Sequence, residues 1–163
     1  YVSVAWECPY EGKVDERIVL NIASQLIASG ADEIILADTI GAANPASVGS
    51  LFRNCVNEFG HQILSGHFHD TRAMALANVC AALFEGIRKF DSCIGGLGGC
   101  PFAPGAAGNL ATEDLANMLD QMGYTTNTDL KKLSEIVLFC EDQLNASLGG
   151  RMSAWLNKKN KSS

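Results

Sequence analysis

Basic residues are scarce in this chain, with 12 Lys and Arg against 18 Asp and Glu and a net charge of −6. They build no patch interleaved with aromatics, which are only 7% of the sequence. That balance argues against nucleic acid or an anionic membrane as a partner. The only basic cluster, Lys158-Lys159-Asn160-Lys161, reads as a frayed, solvated end. No apolar run approaches the roughly 18 residues of a membrane span, and no signal-peptide pattern opens the chain. Six cysteines are present (Cys8, Cys55, Cys80, Cys93, Cys100 and Cys140), but no two stand as Cys-x-x-Cys. Scattered through periodic segments, most of them read as buried thiols of a reducing, intracellular compartment. A Gly-x-Gly-x-x-Gly fingerprint is also missing from the first βα unit, which speaks against dinucleotide binding.

What is there is a regular alternation. At 163 residues and 47% hydrophobic composition, the chain has the size and apolar content of one domain with one core. Tyr1 to Ala5 reads as a strand; it opens without methionine, and the expectation is that residues precede it. Apolar residues at Val14, Ile18, Ile22 and Leu26, with Val19 and Ala23 alongside, predict a helix ended by Gly30. Glu33 to Ala37 reads as a strand covered on both faces. Asn44-Pro45 caps a helix through Phe59. Gln62 to His69 is the next strand, Thr71 to Phe84 the next helix, and Phe90 to Ile94 a further strand. Ala111 to Met122 and Asp129 to Leu144 are predicted as helices, followed by a polar tail.

The pattern is α/β: four consecutive βα units, then a C-terminal helix. Strands alternating with helices of this length imply parallel strands joined by right-handed crossovers. A closed barrel needs twice as many units, so this is either an open sheet or half of a larger barrel. Residues 1–123 form the βα part, and residues 124–163 a helix and tail expected to pack on the same domain.

Between Gly95 and Asp114 the chain carries its most unusual stretch, with six of its sixteen glycines between Gly95 and Gly108. Such a run makes neither a good helix nor a good strand. It presents one thiol, Cys100, and ends at Asn109 before the acidic helix start Thr112-Glu113-Asp114. Read alone, it is either an active-site loop or a surface connector.

The other chemically distinctive residues also follow strands: Asp38, then His67 with His69. In parallel α/β folds, sites assemble at the carboxyl ends of strands. Residues two apart on a strand point the same way, so the two imidazoles share a face while Phe68 packs on the other. Two nitrogens so held are half of a metal site, or two partly buried histidines hydrogen-bonded to their neighbours. Asn109 can add an amide oxygen and Asp38 a carboxylate, and a mixed N/O shell suits Mg²⁺ or Mn²⁺ better than structural zinc. His61, after a helix end at Gly60, is expected in solvent.

His67-Phe68-His69-Asp70-Thr71 followed by Ala75-Leu76-Ala77-Asn78 resembles the 3-hydroxy-3-methylglutaryl-CoA lyase family. So do Gly96-Leu97-Gly98-Gly99-Cys100-Pro101 and Gly108-Asn109-Leu110-Ala111-Thr112-Glu113-Asp114, together with Cys8-Pro9-Tyr10-Glu11-Gly12 and Asp38-Thr39-Ile40-Gly41. The likeness runs from Tyr1 to about Leu144. It implies the C-terminal half of a metal-dependent TIM barrel that splits 3-hydroxy-3-methylglutaryl-CoA into acetyl-CoA and acetoacetate. By motif, His67, His69 and Asn109 would bind a divalent cation, Mg²⁺ or Mn²⁺. Cys100, His67 and Asp38 would be catalytic, with Cys100 in proton transfer, and Thr39 and Gly99 would line the substrate.

The implied partners are an acyl-CoA thioester, an N-terminal barrel half and, when complete, a second copy. The implied setting is bacterial cytoplasm or mitochondrial matrix. Two departures stand out: Glu7 occupies a position expected to be small, and the family's first barrel strand, with its Arg-Asp pair, is absent. Competing readings are a condensing synthase of the isopropylmalate or homocitrate type and a non-catalytic, metal-binding half-barrel.

Overall fold

A computed structural model describes residues 1–99 and 108–161 of the chain. They fall into two compact units, Tyr1–Asp91 and Ser92–Gly99 with the residues from Gly108 onward. The first unit opens with a two-residue hairpin, β1 (Glu7–Cys8) against β2 (Gly12–Lys13). Helix α1 (Glu16–Ala28) follows, started by Asp15, whose side chain accepts from the Arg17 N–H. β3 (Ile34–Asp38), α2 (Pro45–Phe59), β4 (Leu64–Phe68), α3 (Ala75–Phe84) and β5 (Phe90–Asp91) complete the unit. The expected cap of α2 is present: Asn44 and Ser47 satisfy each other's backbone N–H groups and Pro45 opens the first turn.

The sheet is parallel in the order β3-β4-β5. Its register sets Ala37, His67 and Asp91 side by side across three strands. Leu36, Leu64 and Phe68 from the sheet and Val48, Phe52 and Val79 from the helices are fully buried and form the core.

Several local expectations change. Tyr1 to Ala5 is not a regular strand: Val4 sits at φ 51°, a left-handed conformation that turns the chain. Only Val2 bridges to Leu36, although the Ala5 N–H still reaches the Ala37 carbonyl. In α1 the buried residues are Val19 and Ala23, whereas Ile18, Ile22 and Leu26 are 54%, 40% and 37% exposed. The smaller side chains face the core, and the larger apolar line points out. The strand expected over Phe90 to Ile94 ends at Asp91.

In the second unit a parallel bridge joins Cys93 to Ala111, ahead of α4 (Thr112–Gln121), α5 (Leu130–Leu144) and α6 (Arg151–Lys161). The tail read as frayed is therefore helical. Asp114 explains why, because its two carboxylate oxygens accept from the Arg151 and Met152 N–H groups at 3.0 and 2.6 Å. An acidic side chain on those two donors serves as the N-terminal cap that the tail's own sequence lacks. Ser134 of α5 donates to Asn157 of α6 at 3.0 Å. Among the described residues, no helix is long and apolar enough to cross a membrane.

Candidate functional site

In the first unit, the site grows from the end of β4. The pleat sends Phe68 into the core, between Trp6 and Phe90, and leaves His67 and His69 on the opposite face. Their rings lie 5.1 Å apart between centroids, tilted by 58°. His67 is partly exposed, whereas His69 is buried and its Nδ1 has no hydrogen-bond partner. Burial, with the neighbouring His67 adding to it, holds the His69 imidazole below its ordinary pKa. It is thus kept neutral with a lone pair available, the form in which histidine takes a metal.

Asp91 was not legible as part of this group. It stands beside His67 in the next strand, and its Oδ1 lies 2.6 Å from His67 Nδ1. The Tyr1 hydroxyl donates to the other oxygen, also at 2.6 Å, and the Tyr1 ring meets His67 edge-on at 5.8 Å. Burial pushes the Asp91 carboxyl up, but the hydrogen bonds from His67 and Tyr1 outweigh it and hold the group below its usual value. The acceptor is therefore an ionised carboxylate at neutral pH.

Asp38, at the end of β3, is buried. Its oxygens accept from the Ala42 and Ala43 N–H groups at 2.8 and 3.1 Å. Burial raises its carboxyl by more than those two bonds lower it. Thr39 Oγ1 accepts from the Val4 N–H at 3.0 Å, tying the strained turn to the end of β3. Gly41 has φ +63°, and a Cβ there would lie 2.9 Å from Thr71 Cβ and 3.0 Å from the His69 carbonyl. The loops after β3 and β4 therefore touch backbone to backbone, a close approach that only glycine permits. Sequence reasoning also missed the salt bridge between Glu7 and Arg72, 3.7 Å apart, with both side chains partly exposed.

In the second unit, the glycine-rich turn holds Asn109. Its Nδ2 donates to the Leu97 carbonyl at 2.7 Å and its backbone N–H to the Gly96 carbonyl at 3.1 Å. Gly98, at φ +97°, leaves room for that amide, since a Cβ there would fall 2.7 Å from Asn109 Nδ2. With the nitrogen committed to a carbonyl, the oxygen is the end that can accept a cation. Gly99 is exposed, and Cys100 lies outside the described residues. Among the described residues, no three His, Cys, Asp or Glu side chains gather as a metal shell. The structure thus brings His67, His69 and Asp91 together, keeps Asp38 and Thr39 at the end of the neighbouring strand, and holds Asn109 in its own unit.

The HMGL-like family model matches residues 2–139. The chain is 44% identical over 162 residues to a hydroxymethylglutaryl-CoA lyase of Pseudomonas mevalonii, covering 99% of this chain and 50% of that protein. It is similar to the solved HMG-CoA lyase of Bacillus subtilis, with 42% identity and a TM-score of 0.91 over 95% of this chain and 52% of that one. A solved HMG-CoA lyase of Acinetobacter baumannii, in complex with coenzyme A and 3-methylmalate, is 39% identical. That match has a TM-score of 0.90 and covers 93% of this chain and 50% of the other. The chain spans about half the length of the relatives it matches.

Proposed function

Since the chain belongs to the HMGL-like family, we propose that it is the C-terminal half of a divalent-cation-dependent lyase barrel. The reaction is cleavage of 3-hydroxy-3-methylglutaryl-CoA into acetyl-CoA and acetoacetate. The observation that carries this reading is the pair of imidazoles on one strand face, one backed by a carboxylate and the other keeping a buried Nδ1 without a partner. Such a donor set fits a hard-to-borderline divalent cation. His67, His69 and the Asn109 amide oxygen are its proposed ligands, with Mg²⁺ or Mn²⁺ the proposed ion.

When bound, the cation supplies Lewis-acid polarisation that eases removal of the proton from the substrate's tertiary hydroxyl. The hydroxyl proton leaves, the bond between the hydroxyl-bearing carbon and the thioester's α-carbon breaks, and the first carbon becomes the ketone of acetoacetate. The electron pair stays on the thioester as an acetyl-CoA enolate, which takes up one proton to finish the reaction. Cys100 is the proposed group for moving that proton, and His67, its Nδ1 beside Asp91, acts through the cation it would hold. Asp38, with both oxygens on its own loop, holds Thr39 and the loop after β3 in place beside the substrate.

The N-terminal half supplies what this chain lacks, a further metal ligand and a cation for the developing negative charge. The test is turnover of 3-hydroxy-3-methylglutaryl-CoA with Mn²⁺ by this chain joined to the N-terminal half of a relative. The expected result is cleavage to acetoacetate, lowered about 10²-fold or more in Cys100→Ala, the scale of a lost general acid or base. A well-folded fusion that binds the thioester and does not cleave it would overturn the proposal.

A further inference from the structure

We propose that Asp91 is the positioning residue of the cation site, fixing the tautomer and ring orientation of His67. This rests on the reading of His67 as a ligand. Three observations carry it. The parallel register places Asp91 directly beside His67, so the two side chains leave the sheet on the same face. The contact is short, 2.6 Å from Oδ1 to Nδ1, within the range of a charge-assisted hydrogen bond. The other carboxylate oxygen is held at 2.6 Å by the Tyr1 hydroxyl, and the Tyr1 ring stands edge-on to His67, so the carboxylate is itself oriented from a second side.

An ionised carboxylate accepts and does not donate, so His67 carries its proton on Nδ1 and presents the Nε2 lone pair. A carboxylate behind an imidazole also raises its basicity as a ligand. His69 has no such partner on its Nδ1, so the two histidines are not equivalent. Asp91 makes His67 the pre-oriented one.

The experiment compares Asp91→Asn, Asp91→Leu, Tyr1→Phe and His67→Ala in the protein carrying both barrel halves. Mn²⁺ affinity is read by electron paramagnetic resonance, and the His67 tautomer by ¹⁵N NMR of the metal-free, histidine-labelled protein. Asp91→Leu should weaken Mn²⁺ binding by about 10- to 100-fold and let His67 populate the Nε2–H tautomer. Asp91→Asn keeps an acceptor oxygen but loses the charge, so it should hold the tautomer and still lose about 10-fold in affinity. Tyr1→Phe should do less than either.

Unchanged affinity and tautomer in Asp91→Leu would overturn the proposal, provided His67→Ala does weaken binding. If His67→Ala leaves Mn²⁺ binding intact, the ligand reading itself fails, and the positioning role falls with it. Should Asp91→Leu not fold, Asp91→Asn decides: wild-type affinity there would overturn the proposal.

Discussion

A buried, neutral imidazole and a clamped amide are unequal donors, and the difference is measurable. His69 is shielded from water and has an unpartnered Nδ1, so removing it deletes a proposed ligand that solvent cannot easily replace. Asn109 offers a neutral oxygen, for which water is a fair substitute. In the protein with both halves, His69→Ala should therefore abolish tight Mn²⁺ binding, and Asn109→Ala should weaken it by about 10-fold, within the usual range for a lost supporting ligand group. Titration calorimetry separates the two, and equal losses would contradict the ranking. Cys55 makes a contrasting case. Burial, with Glu58 and Glu16 nearby, pushes its thiol up to about 12, so almost no thiolate exists near neutral pH. Iodoacetamide at pH 8 should leave it unmodified in the native chain and label it on unfolding. Cys55→Ser should cost about 1–3 kcal/mol, the scale of a poorly paired buried hydroxyl, without a specific kinetic defect.

At the scale of elements, α6 depends on a side chain outside its own sequence. Asp114 in the first turn of α4 accepts from the Arg151 and Met152 N–H groups, so Asp114→Ala should fray α6 at a cost of about 1 kcal/mol. Hydrogen exchange would show faster exchange at the start of α6 with α3 unchanged. This helix also marks where sequence reading stopped. Its own residues carry no capping signal and few apolar positions, and its partner lies more than thirty residues upstream, so local periodicity described it as a tail. By contrast, α2 was legible because Asn44-Pro45 is a local signal that the fold uses unchanged. The same boundary divides the site. His67 and His69 were legible because the period of a strand is a local rule. Asp91 was not, because its relation to His67 is set by the register between β4 and β5, and register is not written in either strand alone. The strand at Tyr1 to Ala5 went astray for a third reason: a β-branched Val4 held at φ 51° defies its own propensity.

For the molecule as a whole, the sheet and its helices raise the question of closure. In the first unit β3, β4 and β5 form an open parallel sheet in that order, whereas a (β/α)8 barrel closes by pairing its first strand with its last. Ile18, Ile22 and Leu26 form an apolar line on α1 that stays partly exposed among the described residues. Unpaired strand edges and exposed apolar stripes drive self-association in water. The chain spans about half the length of its lyase relatives, and the proposed reaction needs a further metal ligand and a cation from the other half. These 163 residues by themselves should therefore show no cleavage of 3-hydroxy-3-methylglutaryl-CoA with Mn²⁺, and should sediment as oligomers or aggregates at micromolar concentration. Adding the N-terminal half of a relative, in trans or as a fusion, should restore a monodisperse species, tight Mn²⁺ binding and turnover together. Charged replacements at Ile18 and Ile22 discriminate between causes: they should improve the solubility of the lone chain yet leave it inactive, because solubility does not supply the missing ligand. Turnover by the purified chain alone would mean that the essential acid, base and metal ligands all lie within it, and that the open sheet is already a complete site.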